Sequence, residues 1–306
     1  MTPALPPQLH VFVRDWLSGN QVILRSDEGN VVVDSGYSRH VPLTLALTAS
    51  RLGLDGGELA LLVNTHCHSD HMGGNAALQR AYRCRIAVPE HDARHVDAWD
   101  TRALLLDYAG QAAERFAVDE RLRAGTRCRW GDLEWDLLAA PGHDMGALVF
   151  YNAQHRILIS GDALWRDGFG FVMPREMDPE ALPATRATLE LLRSLDVAWV
   201  IPGHGEPFAD YSGALDRAEG RLAALEADSV RVAWHAVRVV LAFALLDHGR
   251  MALATLPDYV ARVGFYRDFN ERYFRLAPAA LAERLAGDLE ARRAARRVDG
   301  NLVPAF

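Results

Sequence analysis

The chain has 306 residues, of which half are apolar and 24% are charged, and this composition is ordinary for a globular protein with a large domain and a smaller one. The net charge of −7 gives no general attraction to nucleic acid or to an anionic membrane, and we expect neither as a partner. The sequence contains no lysine, which excludes Schiff-base chemistry by that residue.

The cysteines and the apolar segments indicate the compartment. Cys67, Cys84 and Cys128 are few and odd in number, which argues against a disulfide framework and fits a reducing environment. The N-terminal residues lack the basic start and apolar run of a secretory signal. The longest uncharged apolar run in the C-terminal part, residues 239–246, is too short to cross a bilayer. We therefore expect a cytoplasmic protein.

The first part of the chain predicts a meander of strands. Three short apolar runs between residues 10 and 34 are separated by turn residues, and Asp34 ends the third run. Asp34 is either a turn residue or an acceptor that orients a metal-binding histidine. Helical spacing follows from Val41 to Leu54, and the apolar run Leu59 to Val63 predicts a buried strand.

A cluster of metal-ligand types follows that strand directly. His66, His68, Asp70 and His71 lie within six residues, before a helical stretch over residues 76–82. Alternate side chains of an extended backbone point the same way, so His66 and His68 can bind one ion. Asp70 and His71, beyond the bend, suit a second ion. Imidazoles combined with carboxylates match zinc or iron, and the clustering disfavours the alternative of a surface loop that binds nothing.

Residues 91–124 carry a polar helical pattern with several large apolar side chains. This pattern predicts an extra helical pair. The pair could cover the metal site as a lid, or it could pack on the sheet as a peripheral hairpin. The sequence leaves the two alternatives open.

Three further ligand types come after later predicted strands. They are His143, Asp162 and His204, and each has a glycine beside it that lets the backbone turn closely. Taken singly, each could be a turn or capping residue. Four strand ends that all present ligand types indicate one shared metal site. An aromatic and glycine-rich loop follows Asp162, and its Trp165 is a candidate for substrate contact.

These residues resemble the metallo-beta-lactamase superfamily over about the first two-thirds of the chain. The resemblance rests on the H-x-H-x-D-H pattern of residues 66–71, on the three later ligand types, and on Val33-Asp34-Ser35-Gly36. It implies the α/β class and an αβ/βα sandwich. It further implies two divalent ions. One would be held by His66, His68 and His143, and the other by Asp70, His71 and His204. Asp162 would bridge the two ions.

The resemblance also narrows the chemistry. The most familiar antibiotic-degrading lactamases carry cysteine where Asp162 stands, and single-iron dioxygenases of the superfamily lose ligands for the second ion. Neither change is present, so the chain resembles the hydrolase branch, which includes glyoxalase II, lactonases, thioesterases and phosphodiesterases. We expect a dinuclear hydrolase in which a metal-bound hydroxide attacks a small-molecule thioester or similar acyl compound: an acyl-CoA, an acyl-glutathione or a lactone. Asp70 could take up the proton. Zinc is the expected metal, with iron or manganese as alternatives.

The missing lysine counts against glyoxalase II itself, which typically grips glutathione with basic and tyrosine side chains. Here Tyr266 could substitute only loosely. Two other functions stay open. One is a phosphodiesterase or ribonuclease, which the acidic net charge disfavours. The other is a metal-binding regulatory protein that does not catalyse, which the complete ligand set disfavours.

Beyond residue 212 the pattern becomes almost entirely helical, and it ends in a hairpin around an Asp-Gly turn. We expect a catalytic domain over residues 1–212 and a helical domain over residues 213–306. Helices followed by a hairpin resemble the winged-helix appendage of some superfamily members. Four arginines cluster near the hairpin, and the acidic net charge favours a solvated face over a DNA-binding one. The apolar helices could also form a homodimer surface.

Overall fold

The computed structural model describes residues 4–52 and 58–305. The strands are β1 Leu9–Phe12, β2 Gln21–Leu24, β3 Asn30–Val33, β4 Leu59–Val63, β5 Arg85–Pro89, β6 Glu120–Leu122, β7 Arg127–Trp130, β8 Leu133–Ala139, β9 Leu148–Asn152, β10 Ile157–Gly161, β11 Trp199–Pro202, β12 Met251–Ala252, β13 Ala295–Val298 and β14 Asn301–Pro304. The helices are α1 Val41–Leu52, α2 Ser69–Met72, α3 Asn75–Tyr82, α4 Glu90–Ala98, α5 Leu106–Ala109, α6 Ala181–Arg193, α7 Tyr211–Glu226, α8 Ser229–His248, α9 Leu256–Arg262, α10 Gly264–Phe269 and α11 Pro278–Ala291.

Two mixed sheets form the larger part of the fold. The first has the order β1-β2-β3-β4-β5-β6, with antiparallel pairing up to β3 and parallel pairing from β3 to β6. The second has the order β11-β10-β9-β8-β7, and only its β10–β11 pair is parallel. In the first sheet Val33 of β3 lies beside Val63 of β4, so both strands end at the same edge.

The two sheets pack face to face because alternate side chains of their strands are apolar. Val33 and Val63 of the first sheet share a buried cluster with Trp135 and Phe150 of the second. Helices α1, α3 and α4 cover the outer face of the first sheet, and α6 and α7 cover the outer face of the second. This layering of helix, sheet, sheet and helix is the predicted αβ/βα sandwich, and the prediction is confirmed.

The C-terminal region has its own apolar core. Val237, Leu241 and Leu245 of α8 pack with Leu281 and Leu285 of α11. A small sheet of order β12-β14-β13 closes this region. By length and composition alone α8 could cross a membrane, as core helices of globular proteins also can, and here its apolar side is packed inside the protein. The predicted hairpin is present as β13–β14, whereas the likeness to a winged helix stays a prediction.

Two expected boundaries lie close to the ends of helices. The helix predicted to reach Leu54 is described only to Leu52, and residues 53–57 lie outside the described part of the chain. The expected domain boundary after residue 212 falls inside α7, whose apolar face packs with α6 in the core of the larger unit. That core also includes Val232 of α8, and the division into two domains stays a prediction.

The predicted helical pair over residues 91–124 is wrong for most of its length. The segment has the helix α4, then turns, the four-residue helix α5, a stretch without regular structure and the strand β6. Trp99 takes a left-handed backbone angle (φ 51°) that ends α4, and Leu105 takes one (φ 54°) directly before α5, which ends at Gly110. Later in the segment, the side-chain amide of Gln79 donates to the carbonyl of Ala117 and accepts from its N–H. These two bonds hold the backbone around Ala117 extended.

Candidate metal centre

The candidate ligands converge because the strands that precede them end at neighbouring edges of the two sheets. His66, His68 and Asp70 follow β4, while Asp162 follows β10 and His204 follows β11. At Gly203 an added Cβ would lie 2.2 Å from Asp162 Oδ1, so only glycine lets these two strand ends approach so closely.

Three histidines form the first cluster. The ligating nitrogens of His66, His68 and His143 lie within 4.8 Å of one another. His68 Nδ1 and His143 Nε2 are 2.9 Å apart. His66 Nε2 is buried, and the described part of the chain offers it no hydrogen-bond partner. The chain thus brings three nitrogens to one point, which is the arrangement that a divalent cation requires.

The electrostatics of this cluster favour neutral imidazoles. Burial lowers the pKa of His66 and of His143, and it lowers the pKa of His68 to about 3. The carbonyl oxygen of Phe171 lies 2.6 Å from His143 Nδ1, where it can accept that N–H and leave Nε2 with its lone pair free. Neutral imidazoles with free lone pairs are the form that binds metal.

The second cluster combines carboxylates with imidazoles. The ligand atoms of Asp70, His71, Asp162 and His204 lie within 4.8 Å of one another. His204 Nε2 is 3.1 Å from Asp70 Oδ2, and His71 Nε2 is 3.5 Å from Asp162 Oδ1. Like His66 Nε2, the buried His71 Nε2 has no hydrogen-bond partner among the described residues.

Asp162 faces both clusters. Its Oδ1 lies beside His71 in the second cluster, and its Oδ2 is 3.4 Å from His143 Nε2 in the first. Trp165 Nε1 donates a hydrogen bond of 3.1 Å to Oδ1. A carboxylate with one oxygen toward each cluster has the geometry of a bridging ligand.

Asp34 holds His71 from behind. Its buried carboxylate Oδ2 accepts the Nδ1–H of His71 at 2.8 Å and the hydroxyl of Thr65 at 2.9 Å, while Oδ1 accepts the Thr65 amide at 2.9 Å. Burial alone would lower the pKa of His71, but the surrounding carboxylates of Asp34, Asp162 and Asp70 outweigh it and raise that pKa well above the ordinary value. Asp34 therefore orients the ring and turns Nε2 toward the centre.

A cavity of about 420 Å³ opens onto both clusters. Trp165 lines it, as the sequence suggested, but Tyr266 does not: that side chain is fully buried in the C-terminal core. Most of the wall is apolar, and α8 contributes Val239, Ala242 and Phe243 to it.

Sequence reasoning missed several lining residues. Trp16 is 52% exposed and stacks on His204, with ring centroids 5.4 Å apart and planes within 8°. Gln111, Arg221 and His235 also line the cavity. No local pattern singles these four out, because they come from distant segments that only the tertiary fold brings together.

The donor set fits two divalent cations. The first cluster supplies only imidazole nitrogens and the second mixes nitrogen and oxygen donors, a combination that suits zinc, iron or manganese better than calcium or magnesium. The two unpartnered Nε2 atoms support the same conclusion, since a buried polar atom without a partner is costly unless something binds it.

Curated relatives match part of the chain. A hydroxyacylglutathione hydrolase from Bdellovibrio bacteriovorus is 26% identical over 164 residues, which is 53% of this chain and 55% of the relative. A second from Rhodopseudomonas palustris is 32% identical over 147 residues, 45% of this chain and 50% of the relative. The chain thus spans about half the length of the curated relatives that it matches.

Solved structures share the fold at low sequence identity. A metallo-beta-lactamase family protein from Thermus thermophilus has a TM-score of 0.60 and 22% identity, covering 98% of this chain and 100% of that one. The FEZ-1 metallo-beta-lactamase from Legionella gormanii has a TM-score of 0.58 and 18% identity, covering 71% of this chain and 92% of that one. Residues 14–204 match the family model of the metallo-beta-lactamase superfamily, and the chain belongs to that superfamily.

Proposed function

We propose that this protein is a metal-dependent hydrolase that binds two divalent cations and cleaves a thioester or a similar activated acyl bond. The observation that carries the proposal is the pair of adjoining donor clusters, each with a buried and unpartnered histidine nitrogen, at the end of an apolar cavity. His66, His68 and His143 would hold one ion, and Asp70, His71 and His204 the other, with Asp162 between them. When bound, two cations supply an activated water and stabilise developing negative charge on the attacked carbonyl.

The protein's own side chains set up this chemistry. Asp34 fixes the ring of His71, and the Phe171 carbonyl fixes the ring of His143. Asp70 lines the cavity, so its carboxylate is placed to accept a proton near the scissile bond. Trp16 and Trp165 flank His204 and form an aromatic rim that limits water at this side of the centre.

The cavity wall favours an acyl substrate over a nucleic acid. Its lining is mainly aliphatic and aromatic, and the net charge of the chain is −7. A hydrocarbon chain gains about 0.8 kcal/mol for each CH₂ that such a wall buries, whereas a polyphosphate backbone needs a basic groove. The names of the curated relatives, hydroxyacylglutathione hydrolases, support thioesters as the bond cleaved. Acyl-CoA, acyl-glutathione and lactones are the compounds to test first.

The test compares one octanoyl thioester with one activated phosphodiester on zinc-loaded protein. Thioester turnover that is lost in His68→Ala, and kept in the control His248→Ala, supports the proposal. His248 is exposed and lies outside both clusters, so its loss should not matter. Turnover of the phosphodiester alone would replace the proposal with a phosphodiesterase. Absence of both activities with both metals bound would favour a regulatory metal-binding protein.

We propose a catalytic unit and a helical unit that meet near the start of α8, because the core of the first includes Val232 and the α8 residues in the core of the second begin at Ala233. We also propose a small-molecule partner, a homodimer and a cytoplasmic location; gel filtration would test the homodimer and cell fractionation the location.

A further inference from the structure

A basic cluster interrupts the apolar wall of the cavity. Arg221 of α7 and His235 of α8 both line the cavity, and Arg221 Nη2 lies 2.6 Å from His235 Nε2. On the other side of the same ring, Arg238 Nη2 lies 3.0 Å from His235 Nδ1. One imidazole is therefore held between two guanidinium groups.

This arrangement leaves hydrogen-bond donors unsatisfied. A neutral imidazole accepts at one nitrogen and donates at the other, so it can accept from only one of the two guanidinium groups. An imidazolium would accept from neither. Burial and the neighbouring Arg221 and Arg238 lower the pKa of His235 to about 3, which makes the ring neutral. At least one guanidinium N–H thus points at the ring without an acceptor there.

The cluster also lacks compensating negative charge. Across the described ranges 4–52 and 58–305, no carboxylate lies within 4.0 Å of the Arg221 guanidinium. Arg238 reaches Asp288 only at 4.0 Å. Arg231 and Arg292 add further positive charge near His235. Buried or half-buried guanidinium groups are normally paired with an anion. The cavity, which Arg221 lines, is the space where such an anion could bind.

One loop connects this cluster with the metal centre. The Arg221 guanidinium lies over the ring of Phe169 at 4.8 Å, and an added Cβ on Gly168 would lie 2.5 Å from Arg221 Nη1. Two residues after Phe169, the carbonyl of Phe171 contacts His143 of the first metal cluster. A ligand in the cavity can therefore touch the metal centre and Arg221 together, with apolar wall between them.

We propose that Arg221, supported by His235 and Arg238, binds an oxyanion that the substrate carries at the end of an apolar segment, away from the scissile bond. This inference rests on the proposed acyl hydrolase function and names its substrate class: an acyl compound with a carboxylate or phosphate group on the part that enters the cavity. Guanidinium groups bind both anions through charge-assisted hydrogen bonds.

The first experiment measures discrimination between matched substrates. The S-phenyl thioester of octanoic acid is compared with the monothioester of octanedioic acid, and with an analogue that ends in phosphate. We expect kcat/KM to be roughly 10- to 100-fold higher for an anionic substrate, the range for a hydrogen bond to a charged group. The better of the two anionic substrates identifies the oxyanion.

The Arg221→Gln variant should bring the ratio of anionic to neutral turnover close to one. Arg221→Lys should restore part of the ratio, which separates loss of charge from loss of fold. Arg250→Gln is the matched control, because Arg250 is an exposed arginine just beyond the end of α8 and outside the cavity lining. Equal turnover of neutral and anionic substrates by the wild type, or a preference that survives Arg221→Gln, would overturn the inference.

A binding measurement separates this inference from the proposed function. If neither thioester is hydrolysed, calorimetric titration of octanoate and octanamide into the metal-loaded full chain decides it. Tighter binding of octanoate that weakens about tenfold in Arg221→Gln, and is kept in Arg250→Gln, supports the anion site even without catalysis. Octanoate affinity that Arg221→Gln leaves unchanged would show that the carboxylate binds elsewhere and would overturn it.

Discussion

The substitution Asp34→Asn should disable the second metal cluster without removing any ligand. The Asp34 carboxylate accepts close hydrogen bonds from the His71 ring, the Thr65 amide and the Thr65 hydroxyl. Asparagine has one oxygen and one NH₂ group. The direction of the Thr65 backbone N–H is fixed and this donor needs an acceptor, so the asparagine oxygen stays beside it. The NH₂ group then faces His71 Nδ1.

This reversal changes the tautomer of His71. Nδ1 must become the acceptor, and the proton moves to Nε2, the atom that faces Asp70 and Asp162. A protonated Nε2 cannot bind a cation. We expect the affinity of the second site to fall about 10- to 100-fold, the usual effect of removing such a supporting contact, or about 1.4–2.7 kcal/mol. The first site should lose much less affinity, because none of its three histidines contacts Asp34 directly and only His66 is linked to it, through the Thr65 hydroxyl.

The assay is a titration of metal against a competing chelator, with stoichiometry from elemental analysis. Asp132→Asn is the matched control, since Asp132 is an exposed aspartate with the same left-handed backbone (φ 59° against 58° for Asp34). Asparagine tolerates that conformation, so backbone strain does not separate the two variants. An Asp34→Asn protein that binds two ions with wild-type affinity would refute this account of His71.

Three further outcomes are expected. Metal at 100 times its dissociation constant should add about 2.7 kcal/mol to the free energy of unfolding, seen as a higher melting temperature that a chelator reverses; a melting temperature indifferent to metal would contradict the site. Gly203→Ala should lower metal affinity, because its Cβ would meet Asp162 Oδ1 at 2.2 Å, whereas the control Gly220→Ala in α7 should stabilise by about 0.5–1 kcal/mol. In the wild type, the preference for octanoyl over acetyl thioesters should approach roughly fourfold in kcat/KM per buried CH₂. Ala242→Trp should fill the acyl cavity and abolish this preference. A preference that persists in the variant would place the acyl chain elsewhere.

The residues of the candidate metal centre could be singled out in the sequence because they follow buried strands. Apolar runs such as Leu59 to Val63 predict strand ends to within a residue or two, and the topology brings those ends to one edge. Ligand chemistry then needs few residues in fixed local patterns. These patterns indicated a shared metal site, whereas the division into two clusters and the sandwich fold came from the resemblance to the metallo-beta-lactamase superfamily.

The cavity and its basic cluster were not accessible in that way. Arg221 lies among polar residues of α7, and His235 lies within the apolar α8. Neither has a local sequence pattern that distinguishes it from an ordinary helix residue. Their meaning comes from how α7 and α8 pack beside the loop after Asp162. The extended stretch near Ala117 was missed for the same reason, because the side chain of Gln79, far away in sequence, fixes its backbone.

The most direct test of the central claim is anomalous scattering at the zinc absorption edge from crystals of the zinc-loaded protein. Two peaks are expected, about 3.5–4 Å apart. One should lie about 2.0–2.1 Å from His66 Nε2, His68 Nδ1 and His143 Nε2, and the other at similar distances from His71 Nε2 and His204 Nε2 and within about 2.0–2.2 Å of Asp70. A single peak at the histidine cluster would contradict the dinuclear centre, and no peak at either cluster would contradict the metal site altogether.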